Sequence, residues 1–188
     1  MRSITPAPTP RADGASIDRM HSEIGIRIAA PPDLVFALAH DVERWADLLP
    51  HYSRSVAVER RSDGSVVADF IARRPLIGVL GLGLPVTWRS RTWSEPATRR
   101  LRFVHVAGAT RGMDVTWRIE PAQGGEGDDS RACEVTIEHD FAPRLPGLAA
   151  FVDRFFTRPI AGRTLATFKA LAEALESGTG APPDPSST

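Results

Sequence analysis

The chain has 188 residues, 42% of them hydrophobic, and as many basic as acidic side chains, 23 of each. This length and apolar content fit one globular domain rather than a disordered chain, and the zero net charge gives no general attraction to nucleic acid. The single cysteine, Cys133, excludes an internal disulfide bond. No apolar run approaches the roughly 20 residues that a membrane-spanning helix requires.

Both ends of the chain are rich in small polar residues and proline. This composition predicts disordered tails over residues 1–19 and 177–188, which leaves residues 20–176 as one folded domain. The N-terminal segment lacks the apolar stretch of a secretion signal, so we expect a cytoplasmic protein.

The elements of the domain follow from periodicity and turn signals. Alternation of Ile24, Ile26 and Ile28 predicts a first strand, and Pro31-Pro32-Asp33 predicts the start of a short helix pair that ends near Pro50. Six strands separated by turn signals follow, at 52–61, 65–73, 85–94, 99–107, 112–121 and 131–141.

Apolar residues at spacings of three and four predict a long helix over residues 146–175, which Pro159 should kink or restart. The order therefore predicts an α+β fold: a curved antiparallel sheet of about seven strands around a long C-terminal helix. A sheet wrapped incompletely around one helix leaves an internal space of the kind that binds small molecules.

Alternation within the strands sorts the side chains into an inner and an outer face. The inner face mixes apolar residues with groups that need hydrogen-bond partners. Each inward histidine is either bonded to local backbone or part of a mixed pocket, and no third ligand at a suggestive spacing supports a metal site. The inward set comprises Trp88, Ser90, Thr92, His105, Met113, Trp117 and His139.

Two further segments can each be interpreted in more than one way. Residues 73–85, RRPLIGVLGLGLP, insert an apolar, glycine-containing stretch between two strands, which is a mobile lid, a contact patch or a flap folded onto the core. Residues 51–111 hold eleven arginines and four acidic residues, which indicates either a solvated outer sheet face or a docking face for an acidic partner.

Several strings resemble one family. The segment DLVFALAHDVERWADLLPHY (33–52) resembles the first-helix signature of the polyketide cyclase/dehydrase group in the START-like (SRPBCC, helix-grip) superfamily. LPVTWRSRTW, RGMDVTWRIEP, VTIEHDF and GRTLATFKALAEAL continue the resemblance in register. The resemblance covers residues 20–176, implies the helix-grip fold, and is closest to the aromatase/cyclases.

The resemblance implies a pocket for a poly-β-ketone tethered to an acyl carrier protein. Trp45, Tyr52, Trp88 and Ser90 match the family's pocket residues. Three positions depart from it, since the family has arginine, arginine and tryptophan where this chain has Thr92, His105 and Ile137. Replacing permanently charged donors makes the site less electrostatic and, through His105, more suited to acid–base chemistry.

From this resemblance we predict catalytic roles for Tyr52, Ser90, Thr92 and His105, without a cofactor or a metal. The expected reaction is cyclisation and aromatisation by aldol condensation and dehydration, with carrier-protein docking on residues 51–111. The alternative is a non-catalytic carrier of a hydrophobic ligand such as a quinone or a lipid. The residues predicted to bind substrate are Trp45, Trp88, Met113, Trp117, Ile137 and His139.

Overall fold

The computed structural model describes residues 19–75, 83–123 and 131–179. Seven strands form one antiparallel sheet in the order β1-β7-β6-β5-β4-β3-β2, so β1 and β2 are its two edges. The predicted sheet with a long C-terminal helix is confirmed. The strands are β1 (Met20–Ile28), β2 (Tyr52–Arg60), β3 (Val66–Pro75), β4 (Gly83–Glu95), β5 (Arg100–Gly108), β6 (Asp114–Pro121) and β7 (Cys133–Phe141).

The helices fall into two groups. Between β1 and β2 lie α1 (Pro32–Ala39), a 3₁₀ turn (Val42–Arg44) and α2 (Trp45–Leu48), which are the predicted helix pair. After β7 come α3 (Leu148–Val152), a π-helical turn (Asp153–Thr157) and α4 (Arg158–Thr179). A second 3₁₀ turn, Pro96–Thr98, connects β4 to β5.

The core fills the space between the inner sheet face and α4. Leu165, Phe168 and Ala172 are buried at spacings of three and four, which gives α4 one apolar face. At 22 residues α4 is about 33 Å long, enough to cross the sheet. The inward alternation predicted for the strands matches the buried residues of β5, β6 and β7.

Pro159 coincides with a change in helix type. Arg158 donates its backbone N–H to the carbonyl of Asp153, five residues earlier, and regular α-helix begins at Arg158. Proline cannot donate a backbone hydrogen bond and its ring crowds the carbonyl four residues before it, so a wider turn just ahead of Pro159 accommodates it. The helix stays continuous and runs to Thr179, into the segment predicted as a tail.

Gly108 ends β5 where the chain needs a glycine. Its φ is +94°, and a Cβ at this position would lie 2.6 Å from the carbonyl oxygen of Thr87 on β4. The ladder between β4 and β5 shifts register between Arg89 and Ser90, immediately after the pairing of Gly108 with Trp88. The close backbone approach at Gly108 therefore sets the position of Trp88 on the inner face.

The edge strands are protected differently. Along β1, Lys169 donates to the carbonyl of Arg27, and Glu173 accepts from the N–H of Ala29. Along β2, the pairing with β3 is irregular after Tyr52 and again after Ala57.

Three predictions lie partly outside the described ranges. These are the lid, patch or flap at 73–85, of which 76–82 are not described, and most of the two terminal tails, 1–19 and 177–188. In the described ranges, no helix combines the length and hydrophobicity that a membrane crossing needs.

Candidate functional site

A cavity lies between the inner face of the sheet and the start of α4. Its volume is about 80 Å³. One buried water needs only about 10–15 Å³, so this part of the interior is hollow rather than packed solid. The lining residues are Trp45, Tyr52, Phe70, Val86, Trp88, Phe103, His105, Thr110, Met113, Val115, Trp117, Ile137, His139, Phe156, Thr157, Ile160, Ala161 and Thr164.

The exposure of the lining residues marks the mouth of the cavity. Val86, Trp88, Phe156 and Ile160 are half-buried, whereas the remaining lining residues are buried. The four belong to the first half of β4, the π turn and the first turn of α4. The mouth therefore lies between the helix and the start of β4.

Trp45 is the centre of the aromatic wall. Its Nε1–H donates to the carbonyl of Ala39 at 2.9 Å, which fixes the indole without using a cavity group. The ring meets five other aromatic rings with centroid distances between 5.4 and 6.1 Å. Because α2 ends in a short turn after Trp45, this side chain reaches from outside the sheet into the space beneath it. Its partners are Tyr52, Phe70, Phe103, Trp117 and Phe168.

Three neighbouring strands present a stack of flat rings. Phe70 of β3 stacks on Trp88 of β4 at 5.3 Å and 11°, and Trp88 stacks on His105 of β5 at 5.8 Å and 18°. These residues point inward from adjacent strands, since Phe70 pairs with Trp88 in the β3–β4 ladder. The stack lines one side of the cavity with aromatic rings.

His105 is a neutral imidazole in this cavity. Its Nδ1 lies 2.6 Å from Thr110 Oγ1, in the turn between β5 and β6. Burial, with a smaller contribution from the charge of His139, lowers the pKa of His105 to about 3. His105 is therefore neutral near pH 7, and a neutral imidazole can donate one hydrogen bond and accept another.

His139 lines the cavity from β7, opposite Ser22 of β1 in the ladder. Burial lowers the pKa of His139 to about 4, although a hydrogen bond with the Ser22 backbone and the charge of Asp153 act in the opposite direction. Among the residues that the structure describes, neither the buried His139 Nδ1 nor the buried Ser22 hydroxyl has a hydrogen-bond partner. Such atoms cost stability, which makes this wall of the cavity locally unfavourable.

Tyr52 brings the single phenol of the chain to the cavity at the start of β2. Burial raises the pKa of Tyr52, and a hydrogen bond from Thr164 partly opposes this effect. The hydroxyl is therefore protonated near neutral pH and available for hydrogen bonding.

Most of the predicted site residues come together, and two do not. Ser90 and Thr92 are buried on the inner side of β4 but do not line the cavity. The Ser90 hydroxyl donates to the carbonyl of Val104 at 3.1 Å, within the sheet. The residues that do line it are Trp45, Tyr52, Trp88, His105, Met113, Trp117, Ile137 and His139.

The sequence interpretation missed two residues beside Tyr52. His51 is buried, and its Nε2 lies 2.9 Å from the Oγ1 of Thr164 on α4. Thr164 lies on the apolar stripe of α4 with Ala161, Leu165 and Phe168, so its helical spacing carried a signal. His51 carried none, because its partner is 113 residues away in sequence.

The arginine-rich section divides between two surfaces. On the outer sheet face Arg89 pairs with Asp69 at 2.6 Å and Arg91 with Asp63 at 2.7 Å. The sheet separates these pairs from the cavity. Arg73, at the end of β3, and Arg111, in the turn next to Thr110, are exposed at the end of the sheet where the cavity opens.

Within the described ranges, no group of three His, Cys, Asp or Glu side chains comes together to hold a metal ion. None of the described lining residues is Arg, Lys, Asp or Glu. The polar side-chain groups of the described lining residues are hydroxyls, imidazoles and indole N–H groups, all of them uncharged near pH 7.

The family model described as "Polyketide cyclase / dehydrase and lipid transport" matches residues 28–168. The chain belongs to this family. It is 28% identical over 192 residues to the granaticin polyketide synthase bifunctional cyclase/dehydratase of Streptomyces violaceoruber, a match covering 96% of this chain and 51% of that protein. The chain thus spans about half the length of this relative.

Solved structures share the fold. The Zhui aromatase/cyclase of Streptomyces sp. R1128 matches with a TM-score of 0.68 at 22% identity, covering 87% of this chain and 99% of that one. A START superfamily protein of Mycobacterium smegmatis matches with a TM-score of 0.63 at 13% identity, covering 82% of this chain and 98% of that one. The helix-grip prediction is therefore confirmed.

Proposed function

We propose that this protein is an enzyme that binds a poly-β-ketone in the cavity and promotes its cyclisation by aldol condensation and dehydration. The observation that carries the proposal is an apolar, aromatic-walled cavity with a few neutral hydrogen-bonding groups, in a chain of the polyketide cyclase/dehydrase family. We expect an aromatic product ring to pack against the rings of Phe70, Trp88 and His105, whose side chains line the cavity.

The chemistry assigned to the side chains is modest. Tyr52 donates a hydrogen bond to a ketone oxygen and stabilises the negative charge that develops there. His105 accepts a proton from the carbon between two carbonyls, and because its pKa is about 3 this uphill transfer depends on the Tyr52 hydrogen bond to the enolate oxygen. The enolate carbon bonds to the ketone carbon, and the resulting alkoxide takes the proton back from His105. In the dehydration His105 removes a second proton from the same carbon and returns it to the departing hydroxyl, which leaves as water while the double bond forms.

Ser90 and Thr92 take a supporting role in this proposal. The bond from Ser90 to Val104 joins β4 to β5 directly behind Trp88 and His105. We therefore assign Ser90 and Thr92 to the rigidity of this wall and not to contact with the substrate. Trp45, Met113, Trp117, Ile137 and His139 remain the proposed substrate-binding residues.

A second candidate function is non-catalytic transport of an apolar ligand such as a quinone or a lipid. The absence of any charged group among the described lining residues favours it, because enolate stabilisation usually relies on stronger donors than a hydroxyl. Under this alternative Tyr52 and His105 contribute little to affinity, since apolar burial dominates binding.

Reconstitution with a minimal polyketide synthase distinguishes the enzymatic function from the transport function. Addition of the protein should change the distribution of cyclised products, and Tyr52→Phe and His105→Gln should each reduce the new product by at least about tenfold. Ser90→Ala is the matched control and should retain most of the activity. An identical product distribution with and without the protein rejects the enzymatic proposal, and native mass spectrometry then tests for a retained apolar ligand.

We further propose that the substrate arrives on an acidic carrier protein that docks at the mouth of the cavity. Arg73 and Arg111 support this location, whereas several outer-face arginines are occupied by ion pairs across the sheet. Arg111→Glu should weaken binding of a holo acyl carrier protein, measured by calorimetry at low salt. Arg54→Glu, on the outer face, should not. The cytoplasm remains the predicted location.

A further inference from the structure

Thr164 is a meeting point of three polar groups beside the cavity. Its Oγ1 lies 2.9 Å from His51 Nε2 and 2.9 Å from the carbonyl oxygen of Ile160, and its hydroxyl also lowers the pKa of the Tyr52 phenol against the effect of burial. The His51 ring packs edge-on against the Tyr52 ring at 5.0 Å and 67°. Thr164 and Tyr52 line the cavity, and His51 lies behind them.

The hydrogens available at this point limit how the groups combine. A threonine hydroxyl has one hydrogen and can accept two hydrogen bonds. The Ile160 carbonyl only accepts, so it competes with the Tyr52 oxygen for the one hydrogen of Thr164. His51 keeps one ring N–H, because burial lowers its pKa to about 4 and leaves it neutral. When this N–H is at Nε2, His51 donates a hydrogen bond to the Thr164 oxygen. The hydroxyl hydrogen of Thr164 then remains available to another acceptor.

Two arrangements follow. When Thr164 donates to Ile160, the Tyr52 hydroxyl donates to Thr164 and presents only an acceptor to the cavity. When Thr164 donates to Tyr52, the Tyr52 hydrogen is free to point into the cavity. A ketone oxygen only accepts hydrogen bonds, so it selects the second arrangement.

We propose that His51 N–H, the Thr164 hydroxyl and the Tyr52 hydroxyl form a directed chain of hydrogen bonds that ends on a ketone oxygen of the ligand. His51 and Thr164 are positioning residues in this chain, since they act through Tyr52. Each donor in such a chain polarises the next and strengthens the last bond. The inference rests on the proposed function only in the choice of a ketone as the ligand.

The test compares 1-tetralone with tetralin, which has the same rings without the carbonyl. The measured quantity is the ratio of their dissociation constants, determined by titration calorimetry at pH 7 with the full chain. We expect wild-type protein to bind the ketone about tenfold more tightly than the hydrocarbon. Tyr52→Phe should remove this preference and leave tetralin binding intact.

The positioning residues are tested by the same ratio. Thr164→Val should lower the preference to about threefold or less, and Thr164→Ser should restore it. Thr157→Val is the matched control, since Thr157 is also a buried threonine that lines the cavity, and it should keep the wild-type preference. His51→Phe should also lower the preference for the ketone, although His51 does not line the cavity. This variant tests the inference independently if Thr164→Val folds poorly.

A wild-type ratio near one, or an unchanged ratio in both Thr164→Val and His51→Phe, overturns the inference. Neither result depends on turnover. The binding ratio therefore tests this inference even if the reconstitution experiment shows no change in products. Conversely, a wild-type ratio near one rejects this inference without contradicting a positive reconstitution result.

Discussion

Lowering the pH from 7 to 5 should destabilise the folded domain through its buried histidines. Burial lowers the pKa of His105 to about 3 and that of His51 and His139 to about 4. In the unfolded chain these groups have an ordinary pKa of about 6.5 and take up protons over this interval. The unfolded state therefore binds more protons, and the free energy of unfolding falls as the pH falls from about 6.5 toward the folded-state values.

The magnitude follows from this difference in proton uptake. A histidine that stays neutral when folded and has an unfolded pKa of about 6.5 lowers the free energy of unfolding by about 2 kcal/mol between pH 7 and pH 5. Three such groups together give about 6 kcal/mol, against a total stability of about 5–15 kcal/mol for a typical domain. The carboxylates of Asp33, Asp63, Asp69 and Glu173, whose pKa values are lowered by their partners, lose their contribution at still lower pH.

Urea unfolding followed by far-ultraviolet circular dichroism at pH 7 and pH 5 measures the effect. His105→Gln should reduce the difference between the two pH values by about 2 kcal/mol, whatever the loss at pH 7. Thr157→Val removes no ionisable group and should shift the stability equally at both pH values. If His105→Gln leaves the pH 7 to pH 5 difference unchanged, the assignment of a neutral buried His105 is refuted.

Three further predictions concern thermal or chemical stability. Gly108→Ala should lower the free energy of unfolding by about 1–3 kcal/mol, because φ is +94° and the new methyl group meets the Thr87 carbonyl; an unchanged denaturation midpoint would contradict the close approach described there. Ser22→Ala should cost less stability than Ser90→Ala, by about 1 kcal/mol in urea titrations, since only the Ser90 hydroxyl has a partner; the reverse order would show that Ser22 is bonded. Phe168→Ala should cost about 3–5 kcal/mol by the same assay, because the ring is fully buried beneath Trp45 and Trp117; a cost below about 1 kcal/mol would mean that the core there is loosely packed.

The strand faces were predictable because alternation is a local property. In β5, Leu101, Phe103 and His105 are buried as the period of two requires. Whether an inward side chain reaches the cavity is not a local property. Ser90 and Thr92 share the inner face with Trp88, and their ladder partners His105 and Phe103 line the cavity, but the Ser90 and Thr92 side chains do not.

The remaining parts of the site depend on contacts distant in sequence. The excess of arginine in residues 51–111 suggested a single docking surface. In the fold, the strand register places Asp69 opposite Arg89, so part of this charge is used in ion pairs on the sheet. Likewise, the neutral state of His105 depends on burial by residues from neighbouring strands. Composition and spacing indicate which groups are present, and only the fold determines their surroundings.

The irregular pairing of β2 bears on how the protein behaves in a crowded solution. An unpaired strand edge is a template for another chain, and a flat, regular edge invites aggregation. The two interruptions in the β2–β3 ladder, together with the exposed charges of Arg54, Glu59 and Arg60, make this edge a poor template. At the other edge, Lys169 and Glu173 occupy one carbonyl and one amide at the end of β1, so each rim of the described sheet departs locally from a straight row of free amides and carbonyls.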